Sequence, residues 1–105
     1  MAKENTEPEA ASETSEEPRK GYALLNGKNY LLRPNLADDW AFTELTAGVE
    51  NNSPSAQIKW AKFIFNDDPK AYEALKRECT VDGRVSTRLI IKKCMKVLEG
   101  INPNS

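Results

Sequence analysis

The run Gln57-Ile58-Lys59-Trp60-Ala61-Lys62-Phe63-Ile64-Phe65 restricts the possible folds more than any other stretch of the chain. Wound as a helix of about 3.6 residues per turn, it puts Lys59, Lys62 and Asn66 on one narrow side. Ile58, Ala61 and Phe65 fall on one apolar arc; Trp60, Phe63 and Ile64 fall on another. Together the arcs span about 220°, against the roughly 100° stripe that a surface helix needs. Either this helix is the centre of a bundle, or one arc packs the core and the other meets a partner. The second alternative makes Trp60, Phe63 and Ile64 candidate protein-binding residues, because interfaces are enriched in Trp and Phe.

Little chain is available to cover so wide a surface. The sequence has 105 residues and a net charge of -1, and that near-neutrality hides a split. Residues 1–20 hold six Glu against Lys3, Arg19 and Lys20, a net of -3, whereas the other 85 carry ten acids and twelve bases, a net of +2. The first twenty residues have no large apolar side chain after Met1, so they cannot offset an ordering entropy of about 1–2 kcal/mol per residue. They are expected to be a disordered acidic tail, solubilising or regulatory, ahead of a single domain over 21–105. A domain of that size buries only about 60–65% of the surface its unfolded chain exposes, which favours self-association or a partner. No apolar stretch is long enough to span a membrane. The opening residues lead into acids, so no secretory signal is expected. There is no histidine, the commonest general base and metal ligand.

Local punctuation divides the domain. Tyr22-Ala23-Leu24-Leu25 and Asn29-Tyr30-Leu31-Leu32 flank Asn26-Gly27-Lys28, and Asn-Gly supplies the positive φ values of a type I′ hairpin turn. Arg33-Pro34 ends the second strand, because proline cannot donate to a ladder. Four helices follow. Asn35 is expected to cap the first, with Asp38 in a capping-box position and Gly48 as its stop. Ser53-Pro54 starts the second, which runs to about Phe65. Asn66-Asp67-Asp68-Pro69 repeats that punctuation for a third helix carrying Ala71, Tyr72, Leu75 and Cys79. Residues 80–85 read as a turn. Ser86 caps the last helix, whose apolar set is Ile90, Ile91, Cys94, Met95, Val97 and Leu98, with Gly100, Ile101 and Pro103 as its stop. The expected fold is α+β and mostly α: an N-terminal β-hairpin packed on three or four helices.

Chemistry-bearing clusters are few. The pairs Asp38-Asp39 and Asp67-Asp68 resemble acid/base or magnesium sites, but both lie at helix starts, where carboxylates satisfy free N–H groups. Glu78 to Gly83 imitates a calcium loop, yet Leu89 stands where a bidentate Glu is required. Cys79 and Cys94 have neither a histidine nor a second cysteine pair beside them, so no zinc set forms, and both fall on apolar stripes as buried thiols. No phosphate loop, nucleophile motif or catalytic dyad is present. The chain is therefore expected to be no enzyme and to need no cofactor or metal. Arg84, Arg88, Lys92 and Lys96 recur every four residues as a basic stripe along the last helix. That stripe suits phosphates as nucleic-acid-binding residues, and it equally suits the solvent face of any amphipathic helix.

The hairpin around Asn26-Gly27-Lys28-Asn29-Tyr30, the segment Ala61-Lys62-Phe63-Ile64-Phe65-Asn66-Asp67, the turn Asp82-Gly83-Arg84-Val85-Ser86 and the ending Val97-Leu98-Glu99-Gly100-Ile101-Asn102-Pro103 occur in a telling order. Over residues 21–104 the chain resembles the small tail assembly chaperones of siphovirus-type phages and prophages of Gram-positive bacteria. The resemblance implies a non-enzymatic helical protein acting in the cytoplasm of the bacterial host. It would shield the tape-measure protein and help recruit the tail-tube protein, often as a homo-oligomer. The family has no catalytic residues to carry over, so the candidate contacts rest on helix geometry alone. Two other functions stay open: a small nucleic-acid-binding protein using the basic stripe, and a structural tail or connector component of the virion.

Overall fold

A computed structural model describes residues 19–100. The expected tail lies outside the described residues up to position 18, as do Ile101 and Pro103. Arg19 already belongs to the folded body: its N–H donates to Asn29 Oδ1 at 3.1 Å, and its guanidinium lies 4.5 Å from the centre of the Tyr22 ring.

The hairpin forms as the Asn-Gly signal requires. Strands β1 (Tyr22–Leu25) and β2 (Lys28–Leu31) pair antiparallel with Tyr22 opposite Leu31 and Leu25 opposite Lys28. Asn26 and Gly27 supply φ values of 52° and 82°. Ala23 and Leu25 point into the core and Tyr30, opposite Ala23, packs partly against it. The turn is fastened from outside. Asn26 Nδ2 donates to the Ala74 carbonyl at 2.9 Å, and its backbone N–H donates to Glu78 Oε1 at 2.8 Å.

Four helices follow: α1 (Trp40–Glu50), α2 (Pro54–Ile64), α3 (Pro69–Glu78) and α4 (Thr87–Gly100). The caps expected from Ser53 and Ser86 are present, Ser53 Oγ accepting from Ala56 N and Ser86 Oγ from Leu89 N. Asp68 caps α3 by accepting from Lys70 N at 2.9 Å.

Four expected boundaries are corrected. Asn35 does not cap α1; it takes a left-handed conformation ahead of a short 3-10 turn, Leu36–Asp38, that carries Leu36 into the core. The cap is Asp39, whose Oδ1 accepts from Ala41 N at 3.0 Å. Gly48 does not stop α1 either. The helix runs on to Glu50, and Asn52 supplies the left-handed residue at φ 61°. Asn52 N–H then bonds the Val49 carbonyl and Ser53 N–H the Gly48 carbonyl, the paired bonds of a Schellman motif. Asn66 ends α2 in the same way, with Asn66 N–H on Phe63 O and Asp67 N–H on Lys62 O. Residues 80–85 are more than a turn: β3 (Thr80–Val81) and β4 (Arg84–Val85) pair around Asp82-Gly83, again with both central φ values positive. Gly100 is the last residue of α4 and does not adopt the positive φ expected of a stop.

Helix α2 is the centre. Trp60, Ala61, Ile64 and Phe65 are buried with Leu25, Leu32, Leu36, Ala71, Ala74, Leu75, Cys79 and Cys94 in one cluster. Helix α1 lies along α2 as the most extensively packed helix pair, and α4 and α3 close other sides. Arg33 ties the hairpin to this centre. Its backbone N–H donates to the Ile64 carbonyl, which the end of α2 leaves open, and its Nε adds a second bond to the Phe63 carbonyl already engaged by Asn66, each at 2.9 Å. The same guanidinium lies 3.8 Å from the Phe63 ring centre and pairs with Asp67.

Candidate functional site

Three surfaces bear on function. The Trp60/Phe63/Ile64 arc is the first, and the fold closes it. Trp60 is 1% exposed and Ile64 0%, while Phe63 is partly covered beneath the Arg33 guanidinium. The indole is fully provided for inside. Phe42 of α1 stacks nearly parallel on Trp60 at a centroid distance of 6.5 Å and on Phe63 at 6.2 Å. Trp60 Nε1 donates to Thr46 Oγ1 at 3.1 Å, and that hydroxyl donates to the Phe42 carbonyl at 2.9 Å. A buried indole N–H needs such a partner. The arc is therefore core, and a docking role that requires Trp60 and Ile64 at the surface does not fit this placement. The physical reason is that α1 brings its own aromatic face to α2. Of the six apolar residues on the two arcs, Ile58 is the one left open, at 49% exposure, and it stands on the other arc.

The basic stripe is the second surface. Arg88, Lys92 and Lys96 are exposed on successive turns of α4. Arg84 is corrected: it sits on β4, before the helix begins, and lines with Arg88, Val81, Val85, Ser86 and Thr87 an open hollow of about 330 Å³. The four cations do not pair among the described residues, whereas the next lysine along, Lys93, is held by Glu78 at 2.8 Å. Lys76 pairs with Glu73, and Arg33 with Asp67.

The third surface is not among the sequence-based expectations. Trp40, the first residue of α1, is 73% exposed. Met95, assigned to the apolar face of the last helix, is 49% exposed, and Leu89 packs against the core beside Ile90 and Ile91. A signal for Trp40 was available: Asp39 as N-cap makes it the first residue of the helix, and the residues sharing its face, Thr43 and Glu44, are polar.

Both thiols are buried and free. Burial pushes Cys94 up to about 12, with the neighbouring Cys79 adding to the effect. Burial also raises Cys79, and the Glu78 charge adds to it. Protonated thiols in apolar surroundings are poor nucleophiles. Among the described residues no group of three His, Cys, Asp or Glu side chains could hold a metal ion. Among the same residues no helix is long and apolar enough to cross a membrane. Asp39 and Asp68 are engaged as caps and Asp67 by Arg33, which accounts for three of the four paired acids.

Comparison with protein families, curated proteins and solved structures gave no match.

Proposed function

We propose that this chain is a non-enzymatic protein-binding factor. More particularly, we read it as a tail assembly chaperone of the siphovirus type, shielding tape-measure protein and helping recruit tail-tube subunits in the cytoplasm of the bacterial host. Its mostly helical body agrees with the helical protein that the resemblance implies. The observation that carries the reading is Trp40. A tryptophan 73% exposed on a small charged body is a costly surface for a monomer, and Trp is among the residues most enriched where partners dock. The contact thus moves from the α2 arc to the start of α1.

Trp40→Glu is expected to abolish co-purification with a tape-measure fragment. Truncating or charging an interface anchor typically costs about 2 kcal/mol or more, a loss of some thirtyfold in affinity. Because Trp40 is exposed, the thermal midpoint should stay within a degree or two of the parent, an effect of under about 0.5 kcal/mol. Undiminished retention of the fragment by Trp40→Glu would overturn the reading. Mass spectrometry of finished virions separates an assembly factor, absent from the particle, from a structural tail component.

A second reading has its own support in the ridge Arg88, Lys92 and Lys96, which makes no ion pair among the described residues. If it binds nucleic acid, log affinity should fall with log salt at a slope near -3 for three phosphates neutralised, and Lys92→Gln with Lys96→Gln should reduce that slope by about 2. No retarded complex at low salt would remove it.

A further inference from the structure

The ridge on α4 raises a question of occupancy. Among the described residues three cations are ion-paired: Lys93 with Glu78, Lys76 with Glu73 and Arg33 with Asp67, none of them on the ridge. Arg84, Arg88, Lys92 and Lys96 stand together and open, with Asp82 and Glu99 as the flanking acids. Elsewhere on the chain, the surplus runs the other way. Residues 1–18 hold Glu4, Glu7, Glu9, Glu13, Glu16 and Glu17 against Lys3, a net of -5, while residues 19–105 hold fourteen bases and ten acids, a net of +4. Unlike charges of such size on one chain attract without needing a second molecule.

We propose that the acidic N-terminal segment, centred on Glu4 to Glu13, is an intramolecular ligand of the Arg84/Arg88/Lys92/Lys96 ridge. Reach permits it. Fifteen residues separate Glu4 from Arg19, which at about 3.3–3.6 Å each span roughly 50 Å when extended. The longest dimension of the molecule is 49 Å. Spacing permits it as well. Arg88 to Lys96 covers about 12 Å at 1.5 Å per helical residue. Glu4 to Glu9, at about 3.3 Å per extended residue, covers roughly 17 Å and carries three carboxylates across the three cations. Tethering raises the local concentration of these carboxylates to the millimolar range, so individually weak pairs are populated together. The attraction is between solvated groups and is therefore governed by salt. Its consequence is a self-screened ridge: a phosphate-bearing or acidic competitor must displace the chain's own segment, and the ridge opens as ionic strength rises or as the tail is drawn off by a partner.

The full-length protein tests this directly. Ala10→Cys carries a nitroxide spin label, and wild type treated with the same reagent gives the background from Cys79 and Cys94. At about 0.01 M salt, where the Debye length is roughly 30 Å, relaxation enhancement should concentrate on the amides of residues 84–96; at about 1 M, where it is roughly 3 Å, the enhancement should be lost. In Arg88→Gln/Lys92→Gln/Lys96→Gln, whose substituted side chains are all exposed, the enhancement at these amides should also be lost at low salt. Three results would overturn the proposal. One is enhancement spread evenly over the surface. Another is enhancement centred on the other basic hollow, lined by Lys28, Lys70 and Arg77 with Glu73, or around Trp40. The last is a pattern on α4 that survives both high salt and the triple substitution.

Discussion

Trp60→Ala should lower unfolding free energy by about 3–5 kcal/mol, the range for removing a buried aromatic ring from a packed core. Against a total of about 5–15 kcal/mol for a domain, that brings the protein close to unfolding at room temperature. Three losses combine. The indole leaves a cavity between α1 and α2, Phe42 loses its stacking partner, and the Thr46 hydroxyl loses the donor on which it was satisfied. Trp60→Phe separates these contributions: it keeps a ring beside Phe42 and gives up the hydrogen bond, itself worth about 0.5–1.5 kcal/mol. Urea titration followed by circular dichroism reads both variants. A Trp60→Ala protein as stable as the parent would return this side chain to the surface and restore the arc as a docking candidate.

Gly48 makes the second large prediction, and there the sign is the test. At an ordinary helix position Gly→Ala stabilises by about 0.8–1.0 kcal/mol. Here a Cβ would land within contact distance of Ala56 Cβ, a rigid first-carbon neighbour that has no rotamer to turn aside. The α1–α2 pair must part to admit it, and overpacking of that kind costs about 1–3 kcal/mol. Gly48→Ala should therefore destabilise, and Ala56→Gly should relieve it, giving a favourable coupling of about 0.5–3 kcal/mol in a double-mutant cycle. Gly48→Ala that raises the unfolding midpoint would mean that α1 and α2 do not touch at this point.

These two residues also mark where the sequence could be read and where it could not. Asn26-Gly27, Ser53-Pro54, Asp68-Pro69 and Ser86 were legible because each signal acts within four residues: a positive φ, a hydroxyl or carboxylate over free N–H groups, a ring that presets φ. Gly48 was misread because a glycine near a helix end has two local meanings. Only the neighbouring helix shows that closeness to Ala56, not a left-handed turn, is its use. Asn52 and Asn66 took the stopping role instead, as asparagine tolerates left-handed backbone better than most residues. Arg33 was read only as the end of a strand. Its bonds to the carbonyls at the end of α2 join positions about thirty residues apart, beyond any local pattern. The wide apolar perimeter of α2 was visible, and its central position was one of two readings. Choosing between them needed Phe42, which shares an apolar helix face with Leu45 and Val49 but whose stacking on Trp60 and Phe63 of another helix no local pattern shows. Trp40 is in phase with α1, where its neighbours three and four residues on are Thr43 and Glu44, so the period puts it on the polar face and not on the Phe42/Leu45/Val49 side.

Ser53 serves two helices at once. Its backbone N–H closes the end of α1 on the Gly48 carbonyl, and its side chain accepts from Ala56 to open α2. A corner built on one shared residue is short. Swinging α1 outward about it would break the bond to the Gly48 carbonyl and uncover Trp60 in the same stroke. A partner that engages Trp40 thus grips a lever whose outward swing would open the core.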